Sequence, residues 1–253
     1  MIRLDNVTKK FGDLVAVDQL SVDIPKGEFF VVLGPNAAGK TTTIKMMVGL
    51  LKPTDGQVFL GGMNIQEKPV EAKRILSYVP DFPFLYEKLT PREFFDFVGD
   101  LFEMPRSEVQ QDTTHLIDYL NLGEYRDSLI EHLSHGTRQR VAIAAALLHR
   151  PEVFIIDEPM VGLDPKHAKL VKDILKQRSR EGMTVFLSSH QLNLAEELAD
   201  RVGIIHKGKL IACAHPTDMR NPDGSHHQQA LEEIFLKLTE EEPEADPGKS
   251  PEF

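Results

Sequence analysis

The chain has 253 residues, 41% of them hydrophobic and 27% charged, the make-up of an ordinary globular protein. At that length about 70–75% of the unfolded chain's surface can be buried, in one large domain or a core with a subdomain. The formal net charge of -10 gives a nucleic-acid partner no support, and the single cysteine, Cys213, excludes an intrachain disulfide and suits a reducing compartment.

Residues 2–8 and 20–24 read as strands, with Gly12-Asp13 as the turn of a hairpin between them. Phe11, just before the turn, is either a packed strand aromatic or a platform on which adenine stacks, since every base offers a π-face. The apolar run Phe29 to Leu33 reads as a buried parallel strand. Gly34-Pro35-Asn36-Ala37-Ala38-Gly39-Lys40-Thr41 follows it, and residues 42–51 read as a helix. This is the phosphate-binding pattern G-x-x-x-x-G-K-[ST] in the strand–loop–helix setting that the pattern requires. Backbone N–H groups, including that of Thr42, surround an anion there, and the helix N-terminus adds partial positive charge. Lys40 is placed to reach the β- and γ-phosphates, and the Thr41 hydroxyl to bind Mg²⁺.

The helix is expected to end near Lys52-Pro53. Residues 57–60 read as a short strand, 68–75 as a helix and 77–79 as a strand. The segment from Asp81 to Leu89 is dense in Phe and Pro. Thr90 and Pro91 then open a helix as N-cap and first residue. Phe94, Phe95, Val98, Leu101 and Phe102 fall on one stripe of it, and Val109, Leu116, Ile117 and Leu120 on a second helix. Residues 85–130 therefore read as helices inserted between strands of a core. Leu133-Ser134-His135-Gly136-Thr137-Arg138-Gln139-Arg140 begins a further, Ala-rich helix that runs to about His149.

Val153 to Ile156 is an apolar run ending in Asp157 and Glu158, the form of a buried strand that delivers carboxylates at its C-terminal edge, where open α/β sheets place ligands. Asp157 supplies the second anion that a phosphate loop needs to hold its metal, and Glu158 is placed to polarise a water for attack on the γ-phosphate. Gly162 to Pro165 reads as a turn, 166–180 as a helix, 184–187 as a strand leading to Ser188-Ser189-His190, and 191–199 as a helix. A hairpin over 202–206 and 209–213, turning at Lys207-Gly208, marks a sheet edge. Residues 215–228 read as a polar loop, in which the His226-His227 pair has no surrounding ligand cluster, and 230–238 as an amphipathic helix. Residues 239–253 read as an acidic, disordered tail, with six acids against the one base Lys249 from Glu240 onward.

The phosphate loop, the Leu133–Arg140 segment, the Val153–Glu158 strand, the Gly162–Asp164 turn and His190 come in the order and at the spacing of ATP-binding-cassette (ABC) ATPases, which the chain resembles over about residues 2–238. The Leu133-Ser134-x-Gly136 segment followed by this Asp-Glu strand is the most specific mark. The resemblance implies an α/β fold: a P-loop NTPase (RecA-like) core, residues 1–80 and 150–215, with an antiparallel β subdomain and an inserted helical subdomain at about 85–149. It implies a homodimer or heterodimer of ATPase subunits with two ATP molecules sandwiched head to tail. Ser134 and Gly136 would contact the γ-phosphate held by the partner's loop. His190 would contact the γ-phosphate and orient the water, and Asp164 would couple the two sites across the dimer.

Asp81 stands where the family usually has Gln as a Mg²⁺ contact, and a carboxylate is an adequate ligand. His135 stands where Gly is commoner, and Ala37 where Gly is frequent, a minor change. The resemblance also implies a separate polytopic membrane permease subunit, with this chain peripheral on the cytoplasmic face of the membrane. No apolar run is long enough to span a bilayer, and no signal peptide opens the chain, so another chain would have to hold it there. The Pro80–Thr90 segment and the Leu231–Thr239 ending look like bacterial ABC-2-type exporter subunits, and Phe82 to Tyr86 would border the permease groove. The alternatives are an importer ATPase subunit, a soluble ABC ATPase acting on ribosomes or nucleic acid, and a non-catalytic nucleotide-binding regulator. A soluble ABC ATPase usually joins two cassettes or inserts a long coiled coil, neither of which is seen here.

Overall fold

The computed structural model describes residues 1–218; the loop after 218, the 230–238 helix, the 231–239 ending and the acidic tail lie outside them. Two sheets organise the chain. β1 (Ile2–Phe11) and β2 (Leu14–Ile24) form the expected hairpin, and β4 (Asp55–Leu60) and β5 (Met63–Asn64) complete a four-stranded antiparallel sheet of order β2-β1-β4-β5. The second sheet has six strands. β3 (Phe29–Leu33), β6 (Leu76–Val79), β7 (Val153–Asp157), β8 (Thr184–Ser189) and β9 (Arg201–His206) run parallel, and β10 (Lys209–Ala214) is the antiparallel edge in the order β10-β9-β3-β8-β7-β6.

The period-2 geometry of strands explains why β3 and β7 read as unbroken apolar runs. Phe29, Val31 and Leu33 face one core with Phe154 and Ile156, while Phe30 and Val32 face the other with Val153 and Ile155. The first core holds the helices α3 (Pro91–Leu101), α4 (Arg106–Tyr119), α5 (His135–Leu148), α6 (Pro165–Arg180) and α7 (Leu192–Leu198). The second holds α1 (Lys40–Met47), α2 (Pro69–Arg74) and the four-stranded sheet.

Local chemistry sets most boundaries. Thr90 caps α3 in a reciprocal box: its Oγ1 accepts from Glu93 N at 3.2 Å, and Glu93 Oε2 accepts from Thr90 N at 2.8 Å. Asp164 caps α6 through His167 N at 3.1 Å.

Two expectations need correction, and one strand goes beyond them. The helix α1 begins at Lys40 and stops at Met47 rather than running over 42–51. Gly49 at φ +70° lets Leu50 N reach Lys45 O at 2.8 Å and Gly49 N reach Met46 O at 3.1 Å, a paired closure that ends the helix before the proline can. β5 is a two-residue strand that carries no sequence signal of its own. Leu101, placed on the apolar stripe of α3, is 65% exposed: Phe94, Phe95, Val98 and Gly99 form the buried face, with Gly99 against Val109 of α4, and at about 100° per residue Leu101 falls on the flank of that face away from Gly99.

Candidate functional site

The loop from Gly34 to Gly39 leaves the C-terminal end of β3 at the centre of the sheet and enters α1 at Lys40. Gly39 takes φ +107°, and a Cβ there would lie 2.6 Å from the Ala16 carbonyl of β2, so only glycine lets the loop lie against that strand. Ala37 is also left-handed, at φ +62°. Its replacement of the frequent glycine is therefore not free; such a conformation costs an L-residue about 1–2 kcal/mol. The Pro35, Asn36 and Ala38 backbone completes the turn, with Ala38 N on Pro35 O at 3.3 Å.

Lys40 is buried, and its Nζ donates to Gly34 O at 2.6 Å and Pro35 O at 3.0 Å, leaving its third N–H for a ligand. Burial pushes its ammonium below the ordinary lysine range, against the pull of the Glu158 and Asp157 carboxylates. Thr41 Oγ1 donates to Asp157 Oδ2 at 2.9 Å, and Ser188 Oγ donates to Asp157 Oδ1. Asp157 is 2% exposed, and these two hydroxyls are what it has from the chain in place of water. A hydroxyl and a carboxylate in contact, both hard oxygen donors, fit a small divalent cation that completes its shell with phosphate and water.

Glu158 lies just beyond β7 with φ +46°, a strained position for a non-glycine residue and one that concentrates at active sites. Its N–H is fixed on Ser188 O at 3.1 Å. Its Oε1 meets His190 Nδ1 at 2.9 Å, and Oε2 accepts from Ser189 Oγ at 3.5 Å. Lys40, Thr41, Asp157, Glu158 and His190 thus converge at the edge of β3, β7 and β8. Sequence reasoning noted the Ser188-Ser189 pair without giving it a role. The signal is register: once β7 and β8 pair, Ser188 stands opposite Asp157.

Four other anticipated positions lie apart from that network. Phe11 is half-exposed at the hairpin tip, with Lys9 Nζ 5.1 Å from its ring centroid. Asp81 is exposed, and its Oδ1 accepts from Phe82 N at 2.9 Å. Asp157 and Asp81 both bear on Tyr78, whose phenol is pushed up to about 12 chiefly by burial and then by those two charges. Ser134 caps α5, with its Oγ accepting from Thr137 N at 3.2 Å, and Gly136 follows in the first turn.

A parallel sheet with a phosphate loop on its central strand and an acid on the next strand but one defines a P-loop nucleoside triphosphatase of α/β type. The ABC transporter family model matches residues 17–161. The linearmycin resistance ATP-binding protein LnrL of Bacillus subtilis is 37% identical over 219 residues, covering 87% of this chain and 70% of LnrL. Among solved structures, the ATP binding subunit of an ABC transporter superposes with a TM-score of 0.87 at 28% identity, covering 94% of this chain and 99% of that one. The dimeric post-hydrolysis state of the ATP-binding cassette MJ0796, bound to ADP and Pi, superposes with a TM-score of 0.77 at 27% identity, covering 85% of this chain and 98% of that one. The chain belongs to the ABC transporter family, as an ATP-binding cassette that hydrolyses ATP.

Proposed function

We propose that the chain is the ATPase subunit of an exporter, working as a homodimer or heterodimer of cassettes on the cytoplasmic face of the membrane beside a separate polytopic permease. The observation that carries the catalytic half is the junction of Lys40, Thr41, Asp157, Glu158 and His190 at one sheet edge. In this reading residues 1–238 are the ATPase domain, with a core of 1–80 and 150–215 and a helical subdomain of about 85–149, followed by a tail at 239–253.

The geometry and the family resemblance support the following residue roles. The N–H groups from Gly34 to Thr42 and the Lys40 ammonium bind the phosphates of ATP, and Phe11 offers its exposed ring to the adenine. Thr41 and Asp157 would hold Mg²⁺, with Asp81, whose Oδ1 accepts from the Phe82 N–H, a further oxygen donor. A divalent cation held there would supply positive charge against the negative charge that develops on the phosphate. Glu158 takes the proton of the attacking water at Oε2, while His190 holds Oε1 and keeps the carboxylate oriented. Ser134 and Gly136 at the head of α5 serve the nucleotide of the partner cassette, where the helix N-terminus adds partial positive charge.

Export is favoured by the Pro80–Thr90 segment and by LnrL, a protein named for resistance. No helix among the described residues is long and apolar enough to cross a membrane, in keeping with a permease on another chain. Phe84 is 94% exposed beside a cavity of about 230 Å³ lined by Tyr78, Leu85, Phe94, Phe102 and His149, an apolar groove suited to a permease segment.

A tagged Glu158→Gln variant, expressed in its native cell and extracted in mild detergent with ATP, is expected to bring a polytopic membrane protein in near-equal amount. Recovery with ribosomes or DNA and no membrane partner would overturn the transporter reading.

A further inference from the structure

Two of this chain's departures from the common family pattern, Asp81 and His135, meet through one aromatic ring. Asp81 Oδ1 pins the Phe82 N–H at 2.9 Å, and the Phe82 ring stands 6.0 Å from the His135 ring at a tilt of 50°. The imidazole also lies directly on Gly162: a Cβ built there would fall 2.3 Å from His135 Cδ2 and 3.1 Å from Nε2. The next residue of α5 interlocks with the same turn, since a Cβ on Gly136 would fall 2.6 Å from Gly162 O. Gly162 itself takes φ +77°. The turn it belongs to is short and closed on itself, with Val161 N on Glu158 O and Leu163 N on Met160 O, both at 3.3 Å. Its ends are Glu158, which meets His190, and Asp164, which caps α6.

We propose that the His135 imidazole is a positioning residue that locks the Glu158–Asp164 turn to the head of α5, with Phe82 backing the ring. The chain's own hydrolytic carboxylate and the Ser134 it lends to its partner's nucleotide then move as one unit. This inference rests on the dimer of the proposed function. Glu158 belongs to one ATP site of that dimer and Ser134 to the other, so a rigid connection between them passes the state of one site to the second. A glycine at position 135 would leave a gap over Gly162, keep only the Gly136 backbone against the turn, and so loosen the connection. The contact is one of packing, since the ring atom nearest a Cβ on Gly162 is the carbon Cδ2.

The test is the ATP dependence of hydrolysis by the full chain and its His135→Gly and His135→Phe variants, with dimer formation measured separately by light scattering on Glu158→Gln with ATP, alone and combined with His135→Gly. Wild type is expected to hydrolyse ATP with positive cooperativity. His135→Phe should keep the Hill coefficient and a kcat within about twofold. His135→Gly should bring the Hill coefficient to about 1 and lower kcat about tenfold, with KM moving less than twofold and the ATP-bound dimer still forming. Wild-type cooperativity in His135→Gly overturns the inference, as does a non-cooperative wild type. Equal loss in both variants with a raised KM also overturns it, because that pattern marks a direct nucleotide contact. If Glu158→Gln forms no dimer with ATP, the dimer reading itself fails and takes the inference with it.

Discussion

The Pro80–Leu89 segment continues directly from β6 at the C-terminal edge of the six-stranded sheet, yet the edge and the segment are finished to different degrees. At the sheet edge the polar groups are met by the chain itself: Asp157 by Thr41 and Ser188, Glu158 by His190, Lys40 by loop carbonyls. In the segment, apolar groups are left to solvent, with Phe82 68%, Phe84 94% and Tyr86 58% exposed. A buried charge is too costly to leave without partners, so a catalytic edge has to be built complete. Exposed apolar area costs only what another surface can recover by covering it, so a segment proposed to dock on another chain can stay open. The segment is nonetheless moored to the ATPase machinery. Arg138 of α5 reaches Glu87 Oε1 at 3.3 Å while its other N–H groups hold Ile130 O, Glu131 O and Leu133 O.

Removing the carboxylate at the closed edge breaks the comparison most severely. Glu158→Gln is expected to retain ATP binding and lose about 10²–10⁴-fold in turnover, the span that general-base catalysis supplies; steady-state hydrolysis with a parallel binding titration checks this, and near-normal turnover would remove Glu158 from its role.

Acid sharpens the contrast at the groove. His149, ring-stacked on Phe102 at 3.6 Å between centroids, has its imidazole pushed down from 6.5 to about 4 by burial. The unfolded chain therefore takes up this proton before the folded one does. The stability that His149 contributes as a neutral ring is fully present above pH 6.5 and is lost as the pH falls toward 4. By linkage the loss at pH 5 is about 2 kcal/mol. Urea unfolding at pH 7 and pH 5 should show it in wild type, and His149→Gln should show less than half of it.

At Asp81, between the two regions, a smaller change is expected. Asp81→Gln should keep hydrolysis within about tenfold, or about 1.4 kcal/mol in the barrier. Complete loss in the same assay would make Asp81 indispensable to the metal site.

Phe84→Ser should be the mildest for the fold, within about 0.5 kcal/mol in denaturant titration, because its side chain is almost wholly in solvent. The same change should lower recovery of the membrane partner; undiminished recovery would argue against this surface as the docking site.

What could be read without coordinates was what depends on near neighbours. The phosphate loop, the β7 strand with its acids, and the Thr90 cap are each specified within a few residues, by donors, acceptors and apolar spacing that act over one turn or one strand. The end of α1 was misplaced because a lysine–proline stop was weighed above the closure that Gly49 permits three residues earlier.

Tertiary structure decided everything that depends on which strands lie side by side. β7 beside β8 is what puts Ser188 on Asp157 and His190 on Glu158, and β3 on the other side of β8 is what brings Thr41 to the same carboxylate across 116 residues of chain. The left-handed backbone at Glu158, the exposure of Leu101 and the seating of His135 on Gly162 come from the same source. Sequence fixes preferences whose energies are local; a contact between distant segments exists only after the chain has given up the entropy of bringing them together, and nothing in either segment alone records which partner it meets.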